Sequence, residues 1–345
     1  MNTYTDTDRT RSSVALAQYP GPLTSDSQDQ FVARIHREWT EESGIAEDLF
    51  RCSVSIVPDL DIGPGGEVST PIHDALGWHY SRFGERTKTN QYGALLYTHN
   101  PKSNWDLEVF QAKLSTPVID RKKGKPRKYE SPKGFGVRGG FSPIPDRLWM
   151  DIGAQQSVDV ACSLAQQPKN GQSYEFWQWV VDRPSLDITI TEGLKKAQHL
   201  LSQGRICIAL SGITMGVFNP DGAGKRLRPY LQLFAQEGRT VYIALDTETK
   251  HKTRRDVARE TRKLGLCFSD ASCTVKVLSI PLLPNTTKTG IDDYGVSWGS
   301  AAIEKLYSDA QPYPAWLWHR RYWAKRSRKP ELKLHQSELK LHEVS

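Results

Sequence analysis

Acidic residues follow several of the short apolar segments in the second half of this 345-residue chain. Glu192 ends the first segment, and Asp246 and Glu248 follow the third. A loop after the fourth segment carries Asp292 and Asp293 behind a glycine. If the segments are parallel strands, their carboxyl ends share one edge of a sheet. The sequence therefore predicts that these carboxylates converge at that edge.

Carboxylates held this close repel one another, so either some are protonated or a cation neutralises them. Oxygen ligands with no nearby His or Cys suit Mg²⁺ or Mn²⁺. Such an ion stabilises charge on a transferring phosphoryl group. The alternative is that the acids are helix caps and loop residues, which are common after strands. That alternative suffices for any one acid, but three clusters at one edge favour a site.

Amphipathic helices alternate with the apolar segments. Strands are predicted at about 186–190, 206–210, 240–245 and 274–280. Helices are predicted between them at 194–204, at 229–237 and around 257–264. The alternation predicts right-handed βαβ units. The expected fold is α/β, with a parallel sheet of about four strands and flanking helices, preceded by a smaller α+β region.

These motifs resemble the Toprim domain, which bacterial-type primases, topoisomerases and certain nucleases share. More closely, the stretch is similar to the Toprim-like domain of unknown function in cyanobacterial and plasmid-borne replication proteins. The matching motifs are Phe176-Trp177-Gln178-Trp179, Ile190-Thr191-Glu192-Gly193, Asp246-Thr247-Glu248-Thr249-Lys250 and Gly290-Ile291-Asp292-Asp293. The resemblance covers about 176–307 and, more weakly, 93–149. The second motif of the family usually reads Asp-x-Asp, whereas Glu248 here shifts the carboxylate by about 1.5 Å at full extension.

The resemblance implies a primase-related protein of plasmid or mobile-element DNA replication, with Mg²⁺- or Mn²⁺-dependent phosphodiester chemistry on DNA or RNA. Glu192 would be a general acid/base or a metal ligand. Asp246 and Glu248 would be catalytic metal ligands, joined by Asp292 and Asp293. A separate helicase is a further expected partner. The alternatives are a Toprim-type nuclease and a non-catalytic DNA-binding replication or maintenance factor, which the Glu248 departure motivates.

Composition and charge indicate the surroundings of the protein. The net charge of +7 favours an acidic partner such as nucleic acid. Five scattered cysteines without Cys-x-x-Cys spacing argue against a zinc site or a disulfide framework and fit a reducing cytoplasm. No apolar run approaches membrane-spanning length, and the amino terminus is unlike a signal peptide. The protein is therefore expected to be cytoplasmic, without a membrane partner.

Four segments are predicted along the chain. A disordered polar tail occupies 1–30, an α+β region with a basic loop 31–170, the Toprim-like domain 171–310 and a basic aromatic segment 311–345. The last segment interleaves aromatic residues with cations, a composition that suits single-stranded nucleic acid. Its tryptophans are predicted to dock on the body of the protein, while its cations meet nucleic acid.

The most basic loop runs from 120 to 134, and its glycines and prolines predict an irregular, flexible arm that presents cations to phosphates. A solvated hairpin tip is an equally weighted alternative. For Lys195 and Lys196 the alternative is a solvated helix face. The candidate nucleic-acid-binding residues are Lys122, Lys123, Lys125, Arg127, Lys128, Arg138, Lys195, Lys196, Lys250, Arg320 and Arg321.

Overall fold

A computed structural model describes residues 27–78, 90–160, 175–222 and 224–326. The amino-terminal part contains α1 (Gln28–Thr40), α2 (Glu47–Ser53), β1 (Val54–Pro58), β2 (Asp61–Ile62), β3 (Val68–Ser69), α3 (Pro71–Leu76), β4 (Tyr92–Asn100), β5 (Asp106–Leu114), β6 (Ile119–Asp120), β7 (Lys125–Pro126), β8 (Gly139–Gly140) and α4 (Asp146–Gln155). The carboxyl-terminal part contains α5 (Glu175–Val181), β9 (Ile188–Glu192), α6 (Leu194–Ser202), β10 (Cys207–Leu210), β11 (Val217–Phe218), β12 (Arg226–Leu227), α7 (Pro229–Gln232), β13 (Thr240–Ala244), β14 (Thr247–Glu248), α8 (His251–Asp270), β15 (Thr274–Val277), β16 (Lys288–Thr289), α9 (Ile291–Trp298), α10 (Ser300–Ser308), β17 (Gln311–Pro312) and α11 (Tyr313–Arg326).

Six strands form a central sheet in the order β17-β15-β13-β9-β10-β8. The inner strands β15, β13, β9 and β10 are parallel, and the short strands β8 and β17 pair antiparallel at the edges. The predicted α/β fold with about four parallel strands is therefore confirmed. The strand order reverses between β9 and β13, and in such sheets ligands bind beyond the carboxyl ends of the strands at that point.

The sheet strands are short and apolar because helices cover them. Ile190 of β9 and Ile243 of β13 are fully buried. On α6, Leu194, Ala197 and Leu201 recur at helical spacing and are buried against the sheet. The helix predicted at 229–237 is shorter, since α7 ends at Gln232. Beyond it, backbone N–H groups donate to carbonyls three residues back, which continues the chain as tight turns.

The amino-terminal region carries a second sheet, in which β1, β4 and β5 are antiparallel. β8 links it to the central sheet, because Gly140 pairs with Ala209 of β10 while the next residue, Phe141, forms a bridge with His99 of β4. Helix α1 begins at Gln28, inside the segment predicted as a tail, because Ser27 and Gln30 form a capping box. The rest of that predicted tail lies outside the described residues.

An aromatic cluster joins the two regions. The Phe141 ring lies 5.4 Å from Trp105 and 5.1 Å from Trp177, and Trp177 Nε1 donates a 2.8 Å hydrogen bond to the Ser142 carbonyl. At the other edge of the sheet β17 pairs with β15, and Trp316 of α11 is buried. Segments on both sides of 171–310 thus complete the sheet, and the division into domains stays a prediction. No helix among the described residues has the length and apolarity needed to span a membrane.

Candidate active site

Glu192 and Asp246 lie at the same edge of the sheet. Glu192 is the last residue of β9 and pairs with Leu210 of β10. Thr191, one residue earlier, pairs with Ala244 at the end of β13, and Asp246 follows two residues later. Gly193 has φ +92°, a conformation that glycine adopts without strain, and it turns the chain from β9 into α6. The predicted convergence of these two positions is observed.

A two-stranded ribbon brings the last acidic motif to this edge. β14 pairs with β16, placing Thr247 opposite Thr289 and Glu248 opposite Lys288. The ribbon holds the loop that leads into α9 beside Asp246. Gly290 is needed there, because a Cβ at that position would lie 2.5 Å from Asp292 Oδ1 and 3.3 Å from Asp246 Oδ1. Asp246 and Asp292 therefore approach the same point from two sides.

Two lysines hold one oxygen of Asp246. Lys196 Nζ lies 2.8 Å and Lys288 Nζ 2.7 Å from Asp246 Oδ2. The Asp246 side chain is only 3% exposed, and its Oδ1 accepts no hydrogen bond from the part of the chain that the structure describes. Burial opposes the charge of Lys288, but its hydrogen bond to Asp246 and the neighbouring carboxylates outweigh that effect and raise its pKa. The two lysines thus compensate the charge of Asp246 at Oδ2, whereas Oδ1 is buried without a hydrogen-bond partner among the described residues.

Asp292 is also buried with an unused oxygen. Burial raises the pKa of the Asp292 carboxyl, and the neighbouring charge of Asp293 adds to the rise while Lys196 opposes it. Within the described residues Asp292 Oδ1 has no hydrogen-bond partner. Native proteins leave few buried polar atoms in this state, so each calls for a reason. Two such atoms, Asp246 Oδ1 and Asp292 Oδ1, lie close to Gly290.

The other predicted acids have different surroundings. Asp293 Oδ2 accepts a 2.8 Å hydrogen bond from the backbone N–H of Gly290, so its carboxylate caps α9. Glu248 Oε1 lies 3.6 Å from Lys288 Nζ. Glu192 lines the cavity described below. The helix-cap alternative therefore accounts for Asp293, but not for Asp246 or Asp292.

The donor set fits a hard divalent cation in part. Among the described residues no group of three or more His, Cys, Asp or Glu side chains is arranged to hold a metal. Asp246 Oδ1 and Asp292 Oδ1 nevertheless supply two unpartnered carboxylate oxygens at one point, and Mg²⁺ is commonly bound through one or two carboxylates plus water and phosphate oxygens. The residues are thus compatible with Mg²⁺ or Mn²⁺.

A cavity of about 470 Å³ is lined by Asp292 but not by Asp246. Its acidic wall includes Glu192, Asp292 and Asp293. Cations and polar groups of both regions line the rest, namely Lys128, Tyr129, Gln111, Lys195, Lys196, Ser211 and Lys288. Lys128 comes from the predicted basic loop and so is brought to the site. A second cavity of about 210 Å³ reaches Asp246 and Glu248 and is bordered by Arg254 and Arg320.

The basic loop has more structure than the sequence indicates. The prediction of an irregular arm is wrong at its start, where β6 and β7 form a short hairpin. Asp120 Oδ1 accepts hydrogen bonds from the backbone N–H groups of Lys122 and Lys123, and Gly124 closes the turn at φ +61°. Glu130 then pairs with Ala112 of β5. Local side-chain hydrogen bonding therefore orders a segment that its glycines and prolines predict to be irregular.

The candidate nucleic-acid-binding residues divide by their contacts. Lys122, Lys123 and Lys125 are exposed on the hairpin, and Lys250 is exposed before α8. Arg127 Nη1 lies 3.3 Å from Glu130 Oε2. Arg138 is ion-paired with Glu108, and Lys195 Nζ lies 2.9 Å from Glu38 Oε1. Arg320 Cζ lies 5.3 Å from the centroid of the Trp316 ring. Arg321 lies on α11, and its side chain is outside the described residues.

Sequence reasoning missed two residues of the site. Lys288 stands two positions before Gly290, and its position next to the loop that carries Asp292 could have indicated that it belongs to the site. Glu38 gave none, because it lies on α1, far from the motifs in sequence. Its two carboxylate oxygens accept from Lys113 and Lys195. Lys288 balances charge at Asp246, whereas Glu38 lies beside the site and holds Lys195, which lines the cavity.

Part of this chain is similar to a family of unknown function. Residues 176–302 match the family model described as "Domain of unknown function (DUF3854)". An uncharacterised protein of Picosynechococcus sp. is 28% identical over 306 residues, an alignment that covers 85% of this chain and 29% of that protein. The chain thus spans less than a third of this curated relative.

Two solved primase structures are similar over most of the chain. The Aquifex aeolicus primase (zinc-binding and RNA polymerase domains) is 14% identical with a TM-score of 0.44, and the similarity covers 86% of this chain and 61% of that one. The DnaG primase catalytic domain bound to ssDNA is 15% identical with a TM-score of 0.44, and the similarity covers 85% of this chain and 77% of that one.

Proposed function

We propose that this chain is a primase-related, Toprim-like protein of plasmid or mobile-element DNA replication that carries out metal-dependent phosphodiester chemistry on nucleic acid. The observation that carries the proposal is the pair of unpartnered oxygens, Asp246 Oδ1 and Asp292 Oδ1, at the carboxyl edge of a parallel sheet. The sequence motifs that resemble the Toprim domain contain both residues.

Asp246 and Asp292 would hold Mg²⁺ or Mn²⁺, and Glu192 and Glu248 would bind its water ligands. When bound, the ion would stabilise charge on a phosphoryl group. Lys196 and Lys288 neutralise part of the acidic charge and fix Asp246 in place. We assign the general acid/base role to Glu192, and its position in the cavity lining supports that assignment.

The cavity supports nucleic acid as the substrate class. Lys128 and Lys195 line the cavity together with Glu192 and Asp292, and Arg320 lines the second cavity with Glu248. Cations so arranged would draw the phosphates of a strand towards the acids. A separate helicase would supply unwinding. The described residues thus give an acidic centre flanked by basic surfaces.

A primer-synthesis assay on single-stranded DNA with Mg²⁺ or Mn²⁺ tests this function. We expect Asp246→Asn and Glu192→Gln to lower synthesis by about 100-fold or more, since each removes charge aimed at the reacting groups. Asp270→Asn is the matched control, because Asp270 is exposed at the end of α8, just before the amino end of β15. Equal activity in the wild type and in both site variants would refute the assignment.

A non-catalytic DNA-binding factor is the second candidate. The observation that favours it is that Lys196 and Lys288 already compensate Asp246, so the fold does not depend on a cation there. DNA binding that persists without metal-dependent turnover would support this candidate. Degradation of an end-labelled strand in the same assay would instead identify a nuclease of the same fold.

A further inference from the structure

The cavity over the acids continues into a smaller one of about 180 Å³. Gln111 and Ser211 line both, so the two spaces meet at these residues. Phe135 lies at the far side, with Pro132, Val137 and Met215 around it. We infer that Phe135 is a stacking platform for an unpaired base of a single-stranded nucleic acid whose backbone passes the acids. The inference rests on the proposed function and names how its substrate is held.

The Phe135 ring is supported from one side. Arg138 Cζ lies 3.6 Å from the ring centroid, which is the geometry of a cation–π contact, and Arg138 Nε donates to the Phe135 carbonyl at 3.5 Å. Arg138 is itself fixed by an ion pair with Glu108. Glu108 is held in turn by Ser103 Oγ at 2.7 Å. The Phe135 ring therefore packs on a guanidinium whose position is fixed by an ion pair. In this interpretation Arg138 holds the ring and does not bind a phosphate.

The Phe135 side chain is only partly covered. Phe135 is 48% exposed, although large apolar side chains gain free energy from burial. Gly134 and Gly136 on either side have φ +81° and +68°, so the backbone turns sharply on both sides of the ring. A single exposed apolar side chain is common and by itself means little. This one is supported on one face by a fixed cation and lines a cavity continuous with the candidate active site.

The surroundings of the ring match a nucleobase. A base needs an apolar surface for its face and polar partners for its edge. Pro132 and Met215 offer apolar surface, while Ser131, Ser211 and Gln111 offer hydrogen-bonding groups. Lys128 lines the cavity that contains Glu192 and Asp292, and we expect it to meet a phosphate of the same strand. An unpaired base fits this set better than a duplex, whose bases are stacked on one another and are not free to stack on Phe135.

The test uses the full chain and a single-stranded DNA oligonucleotide in which 2-aminopurine replaces one base at successive positions. Stacking quenches 2-aminopurine fluorescence. We expect a position quenched by the wild type and by Phe135→Tyr but not by Phe135→Ala, with binding of the oligonucleotide about 5- to 150-fold weaker for Phe135→Ala. Met150→Ala is the control, because Met150 is 50% exposed on α4 and lines neither cavity.

The outcomes separate this inference from the proposed function. Wild-type binding that Phe135→Ala leaves unchanged, with no position losing its quench, overturns the platform and leaves the proposed function standing. A wild type that binds neither single-stranded DNA nor RNA overturns both. If Phe135→Ala is poorly folded by circular dichroism, Phe135→Leu decides: it keeps apolar volume but loses the ring, so unchanged quenching in that variant also overturns the platform.

Discussion

Consecutive lysines on α6 hold two carboxylates that differ in how completely they are used. Lys195 contacts Glu38 of α1, and Lys196 contacts Asp246 beyond β13. Both carboxylates are largely buried and each has two lysine partners. In Glu38 each oxygen has its own lysine, whereas in Asp246 both lysines bind the same oxygen.

The Glu38 cluster has the features of a structural ion pair. Burial tends to raise the pKa of Glu38, but hydrogen bonds from Lys113 and Lys195 outweigh it and lower the pKa. Both lysines also lie over the Trp39 ring, at 5.9 Å and 5.2 Å from its centroid. The cluster connects α1, β5 and α6, and so joins the amino-terminal region to the sheet. Its hydrogen-bonding capacity is used within the protein.

The acids at the sheet edge behave in the opposite way. Burial raises the pKa of Asp292, and Asp246 and Asp292 each keep one oxygen without a partner among the described residues. Perturbed carboxyls with unused ligand capacity in a cavity are typical of functional sites. The comparison is consistent with the proposal that the fold uses Glu38 for stability and keeps Asp246 and Asp292 for a ligand.

The largest effect is expected for Glu38→Gln. This change removes one partner of a buried pair and leaves two lysines uncompensated, which should lower the free energy of unfolding by about 3 kcal/mol at pH 7. Because the folded pKa of Glu38 is lowered, its stabilisation is present above the ordinary carboxyl pKa and is lost as pH falls through the folded value. The difference between wild type and variant should therefore shrink below about pH 4. Urea unfolding across this pH range measures it.

Glu47→Gln is the matched control for this prediction. Glu47 also pairs with two basic groups, Arg51 and His36, but its side chain is 43% exposed. We expect its loss to cost less than about 1 kcal/mol, because water screens such pairs. Similar losses for Glu38→Gln and Glu47→Gln would contradict the structural role assigned to the Glu38 cluster.

A smaller effect is expected at the hairpin of β6 and β7. Alanine at Lys122, Lys123 and Lys125 should weaken binding of single-stranded nucleic acid most at low salt, and each lost phosphate contact should flatten the log-affinity versus log-salt slope by roughly 0.7. The fold should persist, because these side chains are exposed. A charge-matched variant with alanine at Lys102, Lys225 and Lys305 corrects for net charge. Equal slopes in the two variants would show that the hairpin is only a solvated tip.

The sequence predicts the parallel sheet and the edge at which Glu192 and Asp246 meet, because the alternation of apolar strands and amphipathic helices along the chain indicates both. It does not predict the β14–β16 ribbon, because two-residue strands leave no periodic signal. Lys288 therefore reaches Asp246 through a pairing that only the fold provides. The Glu38 cluster joins residues 157 positions apart, a contact that local patterns cannot indicate. Arg138 was predicted as a phosphate contact from its charge, whereas its pairing with Glu108 depends on neighbours in space.

Calorimetric titration of Mn²⁺ into metal-free protein tests the central claim most directly. If Asp246 and Asp292 are reserved for a cation, the wild type and Glu38→Gln should bind Mn²⁺, whereas Asp246→Asn and Asp292→Asn should lose that binding. Asp292→Asn is the sharper variant. Burial disfavours the charged form of Asp292 and so raises its pKa, and the fold should therefore tolerate a neutral side chain there. Mn²⁺ binding that is absent from the wild type, or equal in the wild type and both site variants, would contradict the account.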